Sequence, residues 1–268
     1  MGLDAGVRCR CWDEGKTTPC PFPGRVRPGD DMDLLELDLP WQGNEKLHNQ
    51  FERWRRQCCV HQGMWLVNER IGNWGGVRDF QQALRSAGAT RFPTLLAQIP
   101  NLNGGRTPPA SAQLCLPELD AFAAMGAFGS QIWLVDAETG SRLHNYVEAY
   151  DGVFIMIGSE GMDVGVDHLG FFVRRPDGQE LFRSSRFEQI QRGNQEFEFR
   201  DCASSRRITC SVGVEDMTST QEANRPIYPR LLEVTTTANH SDEYRLIVER
   251  LRSVFAASVE TKNPVSWF

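Results

Sequence analysis

Two short cysteine-bearing patches hold the residues of this chain best suited to chemistry. Cys9-Arg10-Cys11 stands near the start, with Cys20 nine residues on, and Cys58-Cys59-Val60-His61 lies about fifty residues downstream. Together they hold five of the eight cysteines and one of the five histidines. Thiolates and imidazoles that converge tetrahedrally are ligands for zinc, often as two close-spaced pairs. Cys9 with Cys11, and Cys59 with His61, make two such pairs, with Cys20 and Cys58 as alternatives. Each pair is separated by one residue, tighter than the roughly two to four usual in a zinc knuckle. On a strand, residues i and i+2 share a face, so Cys9 and Cys11 can point together. Cys59 and His61 can do the same once the preceding helix has ended. Packing as small hydrophobes accounts for the same cysteines without a ligand. A disulfide from Cys9 or Cys11 to Cys58 or Cys59 is geometrically open, but a reducing compartment opposes it.

Other groupings offer weaker chemistry. A catalytic thiolate needs a base that meets it in space. Cys59 and His61 are too near in sequence for the usual geometry, which leaves His144 or His168 as the approaching base. Glu160, Asp163 and Asp167, with Asp151 and His168, offer oxygen and nitrogen ligands for a divalent cation, and Asp163 and Asp167 share one strand face. They match no calcium loop, and strand-end solvation explains them equally. Asn73-Trp74-Gly75-Gly76 and Asn103-Gly104-Gly105-Arg106 are glycine turns able to offer N–H groups to an anion. Neither is a phosphate-binding loop. Gly-x-Ser-x-Gly and His-Glu-x-x-His are absent. Of seven tryptophans, Trp12, Trp41, Trp65 and Trp74 fall in or beside loops. Loop tryptophans anchor partners or pin loops to a core, so Trp41, Trp74, Asn103 and Arg106 are the candidate partner-binding residues.

The elements that must position these residues follow from periodicity. Leu3 to Cys9 reads as a strand. Residues 12–32 carry Pro19, Pro21, Pro23 and Pro28 with several glycines and read as a loop. Leu47, Phe51, Trp54 and Cys58 mark one face of a helix over 44–60, with Asn44 as N-cap. Val77, Phe80 and Leu84 predict a helix over 77–87 ending at Gly88. Further helices are expected over Pro93–Ile99 and 110–125. After residue 130 short strands follow: Ile132–Val135, Val153–Ile157, Asp163–Asp167, Gly170–Arg174, Glu180–Arg183, Phe197–Arg200, Ile208–Val212 and Leu231–Thr237. A helix over 241–257, capped by Ser241, buries Tyr244, Ile247, Leu251, Val254 and Phe255. The apolar end, Pro264 to Phe268, is expected to dock. The expected fold is α+β: a helical N-terminal half, an antiparallel β-rich middle and a C-terminal helix packed on the body. Residues 1–268 read as one domain, subdividing at 1–128, 129–237 and 238–268.

Composition narrows the function. Charged content is 24%, apolar content 40% and net charge −6, which suits a globular protein and opposes general nucleic-acid binding despite Arg53, Arg55 and Arg56. No apolar stretch is long enough to span a membrane. Met1-Gly2-Leu3-Asp4 leads into charge, so no signal peptide is expected, and Gly6 breaks the myristoylation pattern. A reducing cytoplasm is therefore the expected compartment.

Several segments resemble an uncharacterised family of small bacterial cytosolic proteins. They are Met1-Gly2-Leu3-Asp4 with Cys9-x-Cys11, Cys59-x-His61, Ile71-Gly72-Asn73-Trp74, Phe92-Pro93 with Leu95-Leu96, Asn103-Gly104-Gly105, and Val259-Glu260 with Asn263-Pro264-Val265. The resemblance covers the first 110 residues and the last 30, so the β-rich middle reads as an insertion. It implies no activity. The residues together favour a non-enzymatic binding protein, an immunity-type or accessory factor that masks a basic protein partner, with a structural zinc at Cys9, Cys11, Cys59 and His61. The alternative is a metal-dependent hydrolase at Asp163–His168 or a cysteine enzyme at Cys59.

Overall fold

The computed structural model describes residues 2–29, 34–156, 161–193, 195–216 and 226–268. The chain forms two compact units, Met1–Phe128 with His240–Phe268, and Gly129–Asn239. In the first 128 residues lie β1 (Gly2–Arg8), β2 (Val26–Pro28), β3 (Leu35–Leu37), α1 (Glu45–Arg55), β4 (Trp65–Asn73), α2 (Trp74–Ser86), α3 (Pro93–Gln98), β5 (Arg106–Thr107) and α4 (Pro109–Ala123). The middle supplies β6 (Ala127–Asp136), β7 (Arg142–Asn145), β8 (Val153–Ile155), β9 (Asp163–Asp167), β10 (Gly170–Arg174), β11 (Glu180–Ser184), β12 (Arg186–Gly193), β13 (Glu196–Asp201), β14 (Arg207–Cys210) and β15 (Leu231–His240). The chain then returns through α5 (Arg245–Thr261) and β16 (Val265–Trp267).

A helical N-terminal half is not present. Among the described residues helix takes 30% and strand 35%, in a mixed fold with four antiparallel sheets. The first half holds five strands beside its four α-helices. The reason is β4, whose residues carry no clean alternation, and three strands of only two or three residues, which draw their stability from partners rather than propensity. The main sheet runs β4-β1-β16-β5. Val7 pairs with Val67 on one side and Val265 on the other. The apolar end of the chain is thus an inner strand of this sheet. Trp267 is buried, and its Nε1 donates to Thr107 Oγ1 at 3.0 Å.

Both faces of β1 are covered. Leu3, Ala5 and Val7 enter the main core with Val77, Phe80 and Leu84 of α2, Leu119 and Phe122 of α4, and Leu251 and Phe255 of α5. The Phe122 ring meets Phe80, Phe92, Phe128 and Tyr244 at 5.3–5.8 Å. On the other face Trp65 lies across Gly6 and stacks on Phe268 at 5.6 Å. A Cβ at Gly6 would stand 2.7 Å from the indole. Glu118 of α4 accepts the free N–H groups of Thr94 and Leu95 at 3.0 and 2.8 Å, which caps the short α3. Asn73 caps α2 by accepting from Gly76 N at 2.7 Å. The helix expected over 44–60 stops at Arg55. Ser241 does not cap a helix: it opens a 3-10 turn, and its hydroxyl donates to Ala123 O at 3.1 Å.

A separate small core lies in the same unit. Cys9, Cys11, Leu35, Leu37, Phe51, Cys58 and Met64 are its buried members, with Trp12, Phe22, Val26 and Trp54 packed around them. The β2–β3 hairpin and α1 rest on it.

The second unit faces two sheets on each other, β11-β10-β9-β8 and β14-β13-β12-β15-β6-β7. Phe171 and Phe187 stack between them at 4.1 Å, and Phe199 meets both edge-on. Buried Gln189 donates to Val214 O and Pro229 O and accepts from Val214 N, which anchors irregular backbone to the sheet. Ile157, the expected end of the β8 strand, lies outside the described residues.

Gly6→Ala should lower stability by about 1–3 kcal/mol through the overpacked indole. The loss should shrink in a Trp65→Val background, as urea unfolding of the four proteins would read. An equal loss in both backgrounds would show that the indole is not the cause.

Candidate metal centre

Four side chains from two loops converge in the small core. One ligand atom from each of Cys9, Cys11, Cys59 and His61 lies within 4.8 Å of the other three. Cys9 Sγ is 3.8 Å from Cys59 Sγ, and Cys11 Sγ is 3.3 Å from His61 Nδ1. A tetrahedral zinc at about 2.3 Å from sulfur and about 2.0 Å from nitrogen sets neighbouring ligand atoms about 3.5–3.8 Å apart. The Cys9–Cys59 separation already has that value, and no pair must close by more than about 1.3 Å. Three thiols and an imidazole fit such an ion.

Backbone contacts hold each ligand. Strand β1 ends at Arg8, so Cys9 and Cys11 leave the strand rather than share its face. Cys9 N donates to Met64 O at 2.8 Å, a contact that continues the β1–β4 pairing. Asn263 Nδ2 donates to Arg8 O at 2.7 Å and fixes the same backbone from the C-terminal side. Cys11 begins a tight turn closed by Lys16 N on Cys11 O at 2.7 Å. The other pair owes its place to the early stop of α1. Gly63 N donates to Arg56 O, and Met64 N to His61 O, and this tight reversal swings Cys59 and His61 toward Cys9. It takes Gly63 and Met64 to φ 63° and 66°. A positive φ is costly for a side chain such as Met64, by about 1–3 kcal/mol, and persists where surrounding contacts dictate it.

Burial makes bare thiolates expensive here. Desolvation, aided by the neighbouring cysteines, pushes the Cys9 thiol up to about 12, and desolvation likewise raises Cys11. Cys58 is also pushed up to about 12 by burial, but its sulfur turns away, toward Arg55 O at 3.5 Å. Cys20 accepts from Phe22 N and is outside the cluster. All eight cysteines are free.

The remaining candidates do not gather. Asp167 accepts two bonds from Arg183, at 2.6 and 3.1 Å, and Asp163 pairs with Arg174 at 3.8 Å. These carboxylates are counter-ions within their own sheet. Glu160 lies outside the described residues. Among the described residues, the Cys–His cluster is the single group with metal-ligand geometry. Asn73's own side chain occupies the N–H of Gly76. The Asn103–Arg106 turn spends its backbone on Trp267, with Gly104 N on Trp267 O and Trp267 N on Gly105 O. Arg106 also donates to Gly29 O. Trp74 packs half-buried on the main core with Arg78 over its ring, and Trp12 meets Trp54 edge-on at 5.7 Å. Trp41 alone of the seven tryptophans is exposed. Beside it lies a groove lined by Glu36, His48 and Phe51, which sequence reading missed because β2 and β3 are hidden among prolines and acids.

Comparison with protein-family models, with curated proteins and with solved structures finds no match to this chain. No described helix is long and apolar enough to cross a membrane.

His144 is remote from any cysteine of the cluster in sequence and serves packing: its ring stacks on Phe154 at 3.9 Å. Burial holds it down to about 4, below the roughly 6.5 of an unfolded chain. The unfolded chain therefore binds the extra proton between these values. Unit stability should be full above about pH 6.5 and fall by up to about 3 kcal/mol as pH drops toward 4. In His144→Phe this part of the acid loss should vanish from chemical-unfolding curves taken across that window.

Proposed function

We propose that the protein is a non-enzymatic binding protein whose N-terminal loops are built on a structural zinc ion held by Cys9, Cys11, Cys59 and His61. The convergence of four ligand atoms within 4.8 Å carries this reading. Four protein ligands complete a tetrahedral zinc and leave no open position for substrate or water, which is the mark of a structural rather than a catalytic site. The small core supplies the need: seven buried residues are few to hold a hairpin, a helix and two loops. A cation also removes the cost of placing three sulfurs in a desolvated site as thiolates. Free thiols throughout suit a reducing cytoplasm. The net charge of −6 suits a basic protein partner, as an accessory or immunity-type factor would mask.

A cysteine enzyme is favoured less. A nucleophilic thiol has its pKa lowered by its surroundings, whereas burial raises Cys11, the thiol beside His61. No carboxylate orients His61 among the described residues, so the base of such a pair lacks its usual support.

Elemental analysis of untagged protein should find one zinc per chain. Cys11→Ser and His61→Ala should each lose it and melt at least about 5 °C lower. Cys58→Ser should keep its zinc. Metal-free wild type of full stability would overturn the reading.

A further inference from the structure

The small core supports a surface as well as a metal site. Strands β2 and β3, the segment 38–41 and one side of α1 line an open groove of about 560 Å3. That is within the roughly 300–1,000 Å3 of ligand sites. Leu37 and Phe51, both buried, form its floor. Trp41 stands at its rim with 57% of its surface exposed. The indole leans on His48 with centroids 4.9 Å apart, and His48 Nε2 lies 3.0 Å from Leu39 O. Asn44 donates its side-chain amide to Pro40 O and its N–H to Trp41 O, each at 3.0 Å. The aromatic rim is therefore held before any partner arrives, which reduces the ordering cost of binding.

The groove is acidic. Glu36, Asp38 and Glu52 line it, and its one lining arginine, Arg27, is matched by Asp38 at 3.5 Å. Glu52 pairs with Arg55 at 2.7 Å, while Glu36 makes no ion pair among the described residues. The described residues of 26–52 carry Glu36, Asp38, Glu45 and Glu52 against Arg27 and Lys46, a net −2. The following Arg53, Arg55 and Arg56 do not line the groove. An exposed indole face beside carboxylates is the arrangement that accepts a planar cation: the guanidinium stacks on the ring while the acids take its N–H groups.

We infer that this groove is the docking site for an arginine-bearing segment of a basic protein, with Trp41 as platform and Glu36 and Glu52 as counter-charges. The inference rests on the binding role proposed above, but not on which metal fills the centre. A nucleic acid would be repelled from the same surface.

The test is calorimetric titration of the full-length protein with the capped peptide Gly-Arg-Gly-Arg-Gly and its citrulline counterpart, which keeps shape and loses charge. Zinc is assayed in the same sample. The arginine peptide should bind at least tenfold more tightly than the citrulline one. Trp41→Ala and the Glu36→Gln/Glu52→Gln pair should each weaken it about tenfold, with melting unchanged. A Glu180→Gln/Glu196→Gln control should bind as wild type does. Binding that survives the groove substitutions would overturn the groove while leaving an acidic chain that takes basic segments elsewhere. No binding by wild type, or equal binding of citrulline, would overturn the groove and the basic partner together. Peptide binding by zinc-free protein would keep the groove and remove the metal.

Discussion

Strand β1 sits between β4 and β16, and this pairing is the constraint on which the amino-terminal unit depends. Its register sets Arg8 opposite Trp65 and so leaves Cys9 beside Met64. That contact in turn fixes where the reversal after α1 must end, and the reversal carries Cys59 and His61. Asn263, just ahead of β16, closes the same point from the other side. Convergence of the four ligand residues is thus a product of sheet pairing, not of the loops alone. Loops of their length would not hold thiols a few ångströms apart against chain entropy.

The two cores of this unit divide the work. The main core is large, aromatic and interlocked around Phe122, and it supports itself. The small core has a single buried aromatic ring, Phe51, and four of its seven buried members are sulfur-containing residues. It sits under the irregular segment from Trp12 to Phe22 and under the β2–β3 hairpin, which has no other sheet to join. A bound cation would act there as a covalent staple acts in a small secreted domain, tying distant loops where apolar area is scarce. The groove at Trp41 stands on that same support through Leu37 and Phe51.

Helices were legible where one face repeats: Val77, Phe80 and Leu84 foretell α2, and Leu251, Val254 and Phe255 foretell the last helix, although Tyr244 falls in the 3-10 turn before it and Val248 is buried where Ile247 is only half-buried. Several strands of the middle were legible from short apolar runs between turn residues, among them Asp163–Asp167 and Gly170–Arg174. The helical first half was an error of period. Strand β4 mixes Asn68, Glu69 and Arg70 with apolar residues and shows no face of its own, because pairing with β1 decides its state. Strands β2, β3 and β5 are too short to carry a pattern at all. The ligand residues were legible as types and spacings, since thiols and imidazoles are rare. What sequence could not settle was the choice between Cys58 and Cys59, which turns on where α1 stops. The groove had no signal beyond Trp41, because its walls come from separate short elements.

One consequence concerns the order of synthesis. Everything that builds the Cys–His cluster apart from Asn263, the β1–β4 pairing included, is complete once residue 73 has left the ribosome. The main sheet, by contrast, cannot place β1 between its neighbours until β16 emerges, after the whole second unit has been made. Until then β1 has one free edge and lacks the cover that α5 gives its apolar face, the state in which nascent chains find wrong partners. An ion captured early would hold the amino-terminal loops in register through that interval. A metal bound there would then serve the nascent chain as much as the finished molecule.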